Sequence, residues 1–141
     1  MKHFFDTSVL VAACVEGHEH HERSLALLSR ADRKNGCCAA HSLAEVYATL
    51  TGLPGKLRMS ADQALLFLDS VEERLETVSL DAREYPLAIR EAASAGIIGG
   101  TIYDALLGMC ALKARAGRIY TWDVADFRRL GADIARIVQT P

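Results

Sequence analysis

The chain has 141 residues, half of them hydrophobic and 24% charged, with a formal net charge of −2 at pH 7. That size and composition describe one globular domain, residues 1–141, able to bury a core of its own. No apolar run reaches the ~20 residues that cross a bilayer, and the overall charge excludes a generally basic nucleic-acid binder, so any contact with nucleic acid needs local positive charge or a metal.

The amino-terminal "MKHFFDTSVLVAACVEG" meets an acid at residue 6 and lacks a secretory pattern, so no membrane and a cytoplasmic location are expected. Lys2 to Phe5 is a β-prone run, followed by Asp6-Thr7-Ser8 and an apolar helix from Val9 to Val15. Residues 18–34 alternate charge and leucine at helical spacing, and "GCCAA" at 36–40 has the look of a buried strand. "HSLAEVYATLTGL" at 41–53 predicts a helix broken by Pro54-Gly55; a second amphipathic helix covers roughly 60–74. A β-like "ETVSL" at 76–80 precedes two helices, 82–95 and 101–115, separated by "GIIGG". "RIYTW" at 118–122 is a strand, "VADFRRLG" a short helix or turn, and "ARIVQ" at 135–139 a last strand. Short apolar strands alternating with helices predict a parallel α/β sheet covered on both faces, an α/β/α sandwich of about five strands. The four cysteines, Cys14, Cys37, Cys38 and Cys110, form no C-x-x-C pair and are expected as buried free thiols.

Sites in open parallel sheets form outside the carboxyl ends of the strands. Four acids from separated segments are predicted there: Asp6 and Asp123 directly after strands, Glu45 and Asp104 in the first turns of helices. Ser42-x-x-Glu45 and Thr101-x-x-Asp104 both match a helix capping box, and capping alone would account for either acid. For Asp6 the plain alternative is an N-cap, and for Asp123 an Asx turn. Their joint placement favours a different role. Four converging carboxylates repel one another unless a cation neutralises them, and hard oxygen donors suit Mg²⁺ or Mn²⁺ better than zinc.

"GHEHHERS" at 17–24 does not match H-E-x-x-H, because Glu22 stands where the second histidine would be. His18, His21 and Glu22 could share a helix face, but the run is expected as a solvated helix start. Lys56 and Arg58, and Arg128 and Arg129, are the candidates for binding phosphate, against the plain alternative of solvated surface charge. Trp122 could stack on a base or pack in the core.

The segments "FFDTSVLVA", "HSLAEVYATLTGLPG", "GGTIYDALLGMCA" and "IYTWDVADFRRLG" resemble, in order and spacing, the PIN-domain family of metal-dependent nucleases, specifically the VapC-type ribonuclease toxins of toxin–antitoxin pairs. The resemblance spans essentially the whole chain. It implies that Asp6, Glu45, Asp104 and Asp123 occupy the family's acidic metal-binding positions, with Thr7 and Thr121 on flanking hydroxyl positions. "TWDVADF" also offers Asp126; the acid two residues after the threonine, Asp123, fits the pattern, leaving Asp126 to support it or cap a helix. The resemblance further implies Mg²⁺-dependent cleavage of RNA, a homodimer, and an antitoxin docking on the helices around 42–73. Two other readings compete: a catalytically silent PIN-like domain that binds RNA or protein, and a phosphorylated receiver-type domain. The second wants a lysine on a late strand, and Lys113 falls on a predicted helix.

Overall fold

Phe4 and Phe5 are both buried, each in a different core cluster, because successive side chains of a strand point to opposite faces of the sheet. They belong to β1 (His3–Phe5), the middle strand of five in the computed structural model, which describes residues 1–141. β2 (Gly36–Ala39), β3 (Glu76–Val78), β4 (Arg118–Tyr120) and β5 (Val138–Gln139) complete the sheet in the order β3-β2-β1-β4-β5, with every pair parallel. Register sets Phe4 beside Cys37 on one side and Ile119 on the other.

The helices are α1 (Thr7–Cys14), α2 (His21–Ser29), α3 (Ala40–Thr51), α4 (Ala61–Arg74), α5 (Glu84–Ser94), α6 (Thr101–Lys113), α7 (Val124–Arg128) and α8 (Ala132–Ala135). α1 to α4 cover the face that carries Phe5, Cys38 and Tyr120; α5 to α8 cover the face that carries Phe4, Cys37 and Ile119. The architecture is the expected three-layer sandwich with a five-stranded parallel sheet. No helix is long and apolar enough to cross a membrane. The cysteines are free, and burial pushes the Cys14 thiol up to about 11 and those of Cys37 and Cys38 to about 12.

Several boundaries differ from the sequence expectation. The helix expected over 18–34 occupies only His21–Ser29. Asp32 ends that region in a tight turn by accepting the Lys34 and Asn35 amides, a local alternative to helix that aspartate side chains provide. The last strand shrinks to two residues because 132–135 coil into α8. Neither anticipated capping box forms. α3 starts at Ala40, so Ser42 already lies inside it, and Glu45 falls in its second turn; α6 is capped by Gly100, with no side-chain bond. α6 also follows a helix and not a strand. A true capping box occurs instead at Ser60 and Gln63, where α4 begins.

The strand order reverses direction between β1 and β4, so the loops leaving their carboxyl ends diverge and open a crevice. Asp6 and Asp123 stand on the two sides of that opening.

Candidate active site

Asp6 is the residue after β1 and the N-cap of α1, and it is almost fully buried at 3% exposure. Its Oδ2 accepts bonds from the Ser8 hydroxyl at 2.7 Å, the Thr121 hydroxyl at 2.7 Å and the Ser8 amide at 3.4 Å. Burial pushes this carboxyl above the usual range; the Ser8 and Thr121 bonds pull it back, and the nearby Asp123 charge pushes it up again. The same two hydroxyls tie the other side of the crevice. Ser8 Oγ accepts the Trp122 amide at 3.0 Å, and Thr121 Oγ1 accepts the Asp123 amide at 2.9 Å. Ser8 and Thr121 therefore lock the β1–α1 junction to the β4–α7 junction.

Glu45 comes from α3, with Oε1 3.0 Å from the Thr7 hydroxyl, which also lies 2.9 Å from the hydroxyl of buried Ser42. Asp104 enters from α6, a helix buried along most of its length. Its carboxyl is pushed up to about 6, first by burial and then by the charges of Asp6, Asp123, Asp126 and Glu45. Asp123 is raised by burial and by Asp126. All four acids line one cavity of about 460 Å³, together with Thr7, Ser8, His18, His20 and Trp122.

The ion pairs made by lysine and arginine involve none of the four acids. The nearest cationic candidate, His41 Nε2, is 4.0 Å from Glu45. The carboxylates share the cavity without closing on one point, as no group of three or more His, Cys, Asp or Glu side chains is gathered tightly enough to hold an ion. The four acids nevertheless suit a hard divalent cation: they offer carboxylate oxygens with no lysine or arginine paired to them, although His18 and His20 border the same cavity.

The remaining candidates lie elsewhere. Asp126 is outside the cavity, with Arg129 3.8 Å from it. Arg128 and Arg129 are exposed on α7 and the turn after it. Lys56 and Arg58 line a separate cavity of about 830 Å³ with Met59, Phe67 and Arg74, and so are not beside the acids as their position in the sequence suggested. α3 rises about 1.5 Å per residue and carries the chain away from Glu45 before that loop begins. Lys113 ends α6, where it bonds the Ser79 carbonyl, and the receiver-type reading has no lysine at the acids.

The histidine run does start a helix, α2, with Glu19, Glu22 and Arg23 exposed, but its histidines are only partly solvated. His20 lies flat on Trp122, with ring centroids 3.6 Å apart and planes within 7°. Trp122 Nε1 donates to the hydroxyl of buried Ser24 at 2.8 Å. His18 sits in the preceding turn, its Nδ1 accepting the His20 amide, and so shares no helix face with His21 and Glu22. Ser8, His18, Glu19, His20 and Thr49 are the polar cavity residues that sequence reasoning missed. "DTS" held a usable signal for Ser8, since a hydroxyl two residues after an N-cap can reach back to it. No local signal could bring residue 20 to residue 122.

The PIN domain family model matches residues 3–133. The chain belongs to the PIN-domain family. Ribonuclease VapC40 of Mycobacterium tuberculosis, from strains CDC 1551 / Oshkosh and ATCC 25618 / H37Rv, is 33% identical to this PIN domain over 132 residues, 92% of this chain and 94% of that protein. Ribonuclease VapC27 of the H37Rv strain is 35% identical over 111 residues, 79% of this chain and 77% of its own length. Among solved structures, a chain of VapBC2 from Rickettsia felis, bound to a DNA fragment from the promoter, superposes with a TM-score of 0.68 at 22% identity. A chain of VapBC-1 from nontypeable Haemophilus influenzae does so with a TM-score of 0.67 at 16% identity. Both alignments cover 99% of this PIN domain and 98% of the other chain, and at these identities they speak for the fold.

Proposed function

We propose that this PIN domain is a metal-dependent endoribonuclease and the toxin of a toxin–antitoxin pair. The observation that carries the proposal is the cavity at the β1/β4 crevice, where Asp6, Glu45, Asp104 and Asp123 arrive from four separate elements with no lysine or arginine to balance them. The ribonuclease names of its relatives agree with that chemistry.

In this reading Asp6, Asp104 and Asp123 hold Mg²⁺ or Mn²⁺, directly or through water, and Glu45 binds a water or accepts its proton. When bound, such an ion supplies Lewis-acid activation of water and offsets charge on the phosphoryl oxygens. The protein supplies position. Ser8 and Thr121 fix the position of the buried Asp6 carboxyl and oppose the rise in its pKa that burial causes, and Thr7 orients Glu45. No cysteine lines the cavity, and burial raises the pKa of all four thiols, which disfavours the thiolate.

A catalytically silent PIN-like domain would be expected to lack one or more of the acids, and this chain has all four. The antitoxin would dock in the cavity between α2 and α4, where Phe67 and Met59 give apolar floor and Lys56, Arg58 and Arg74 a basic rim, suited to an acidic amphipathic segment. Exposed Leu87, Ile89 and Ile98 offer surface for a homodimer.

The test is RNA cleavage with Mg²⁺, with EDTA, and by Asp6→Asn and Asp104→Asn. Cleavage abolished by chelation and by each substitution is the expected result. Cleavage that survives all three would refute the metal-nuclease reading. Growth arrest on expression, relieved by a co-expressed neighbouring gene, tests the toxin role; unaffected growth would argue against it.

A further inference from the structure

We infer that His20, laid on Trp122, is a stacking platform for an unpaired nucleobase beside the acidic cavity. The inference rests on the ribonuclease reading but concerns binding and not cleavage.

Four observations lead to it. His20 covers Trp122 in a near-parallel stack, its side chain is 34% exposed, and it lines the cavity that contains the carboxylates. The support beneath it is rigid: the indole nitrogen is bonded to buried Ser24, and the Trp122 amide is bonded to Ser8, the same residue that holds Asp6. The platform is thereby fixed in position relative to the carboxylates. Trp122 is not itself available, with His20 on its ring and the Arg23 guanidinium 5.7 Å over it. Finally, the cavity is lined by acids and contains no lysine or arginine, so its walls offer a strand no cationic side chain of that kind for its phosphates.

Stacking on a flat ring needs no charge and tolerates any base, because every base has a π face. It does need a base that is free to swing out. In a duplex each base is already stacked between its neighbours, which is why unpaired strands are the usual targets of aromatic side chains.

The experiment measures binding of fluorescein-labelled oligoadenylate to the full chain, with Asp104→Asn in every arm so that the strand is not cut. The comparison strands are an abasic ribose-phosphate strand of the same length and the oligoadenylate–oligouridine duplex. His20→Ala is expected to weaken oligoadenylate binding about 5- to 150-fold, the span of a lost base–aromatic stack. His20→Phe should retain the affinity, since a flat ring is all the platform requires. Both variants should bind the abasic strand as the parent does. Equal affinity of parent and His20→Ala for oligoadenylate would overturn the platform, as would an equal loss in His20→Ala and His20→Phe, or an equal loss on the abasic strand. Tight binding of the duplex by the parent would overturn the requirement for an unpaired base. A parent that binds oligoadenylate through His20 while the native chain cuts no RNA would instead count against the ribonuclease reading alone.

Discussion

The Thr121 hydroxyl donates to Asp6 Oδ2 at 2.7 Å, joining residues 115 positions apart at the point where the chain leaves two paired parallel strands in diverging directions. Both groups are buried, so the bond does more than fix geometry. It is one of the interactions that hold down the proton affinity of a carboxylate which burial would otherwise neutralise. A hydroxyl in this place converts an apolar corner into one that tolerates a charge.

Thr121→Val should therefore lower both stability and activity. Removing one donor from a buried carboxylate costs about 1–3 kcal/mol, and loss of a ligand-orienting contact costs about 10- to 100-fold in activity or metal affinity. With that bond gone the Asp6 pKa rises further, so the acid limb of the pH–rate profile moves to higher pH. Thr121→Ser should restore most of both. Thermal melts and initial cleavage rates across pH measure the three effects, and an unshifted acid limb in Thr121→Val would contradict them.

Asp123 and Asp126 are close in sequence and separate in effect. Asp123 lines the cavity and has its amide held by Thr121, whereas Asp126 sits outside it near Arg129. Asp123→Asn should reduce cleavage by about 100-fold or more, the scale of losing a group that acts on the metal. Asp126→Asn should stay within a few-fold of the native rate, because it removes only a neighbouring charge that raises Asp104 and Asp123. Side-by-side kcat values decide it, and a reversed ranking would make Asp126 the fourth acid.

The same two positions mark what was legible in the sequence. Short apolar runs and helical spacing located every strand and most helices, because the five strands are fully parallel and buried between two layers of helices. Asp6 and Asp123 were visible because each directly follows a strand run, and the chain must turn there. Glu45 and Asp104 were legible as acids near helix starts, with capping as the plain alternative, and it is that alternative that did not hold. Their capping boxes are absent, and they reach the cavity because α3 and α6 pack against the sheet with those residues facing it. Packing also explains the misses: the His20–Trp122 stack and the distance of Lys56 from the acids are tertiary facts with no local signature.

Without metal, the acid cluster should make the fold less stable as pH rises. Asp104 has a pKa of about 6 in the folded chain, against about 3.9 for an aspartate in the unfolded chain. Between those values the folded chain keeps a proton that the unfolded chain has lost, so stability decreases as pH rises through that window and is flat above it. Asp6 and Asp123 are shifted the same way and add to the slope. In EDTA, the melting temperature should fall from pH 4 toward pH 7, and Asp104→Asn should flatten that fall while abolishing cleavage. A native melting temperature that climbs over this range would contradict the direction of these shifts.

Divalent cation should reverse that loss. An ion that binds only the folded chain stabilises it by RT ln(1 + [L]/Kd), about 2.7 kcal/mol at one hundred times Kd. For a domain of this size that corresponds to a rise of roughly 5–11 °C in the melting temperature. The rise should be larger at pH 7 than at pH 5, because protons compete for the raised Asp104 carboxyl. Oxygen donors without a thiolate in the cavity should respond to Mg²⁺ and Mn²⁺. Asp6→Asn and Asp104→Asn should each remove most of the shift, whereas Asp126→Asn should keep it. Thermal melts with Mg²⁺ titrated into EDTA-treated protein give the measurement. A shift that survives Asp6→Asn and Asp104→Asn together would place the ion somewhere other than the crevice between β1 and β4.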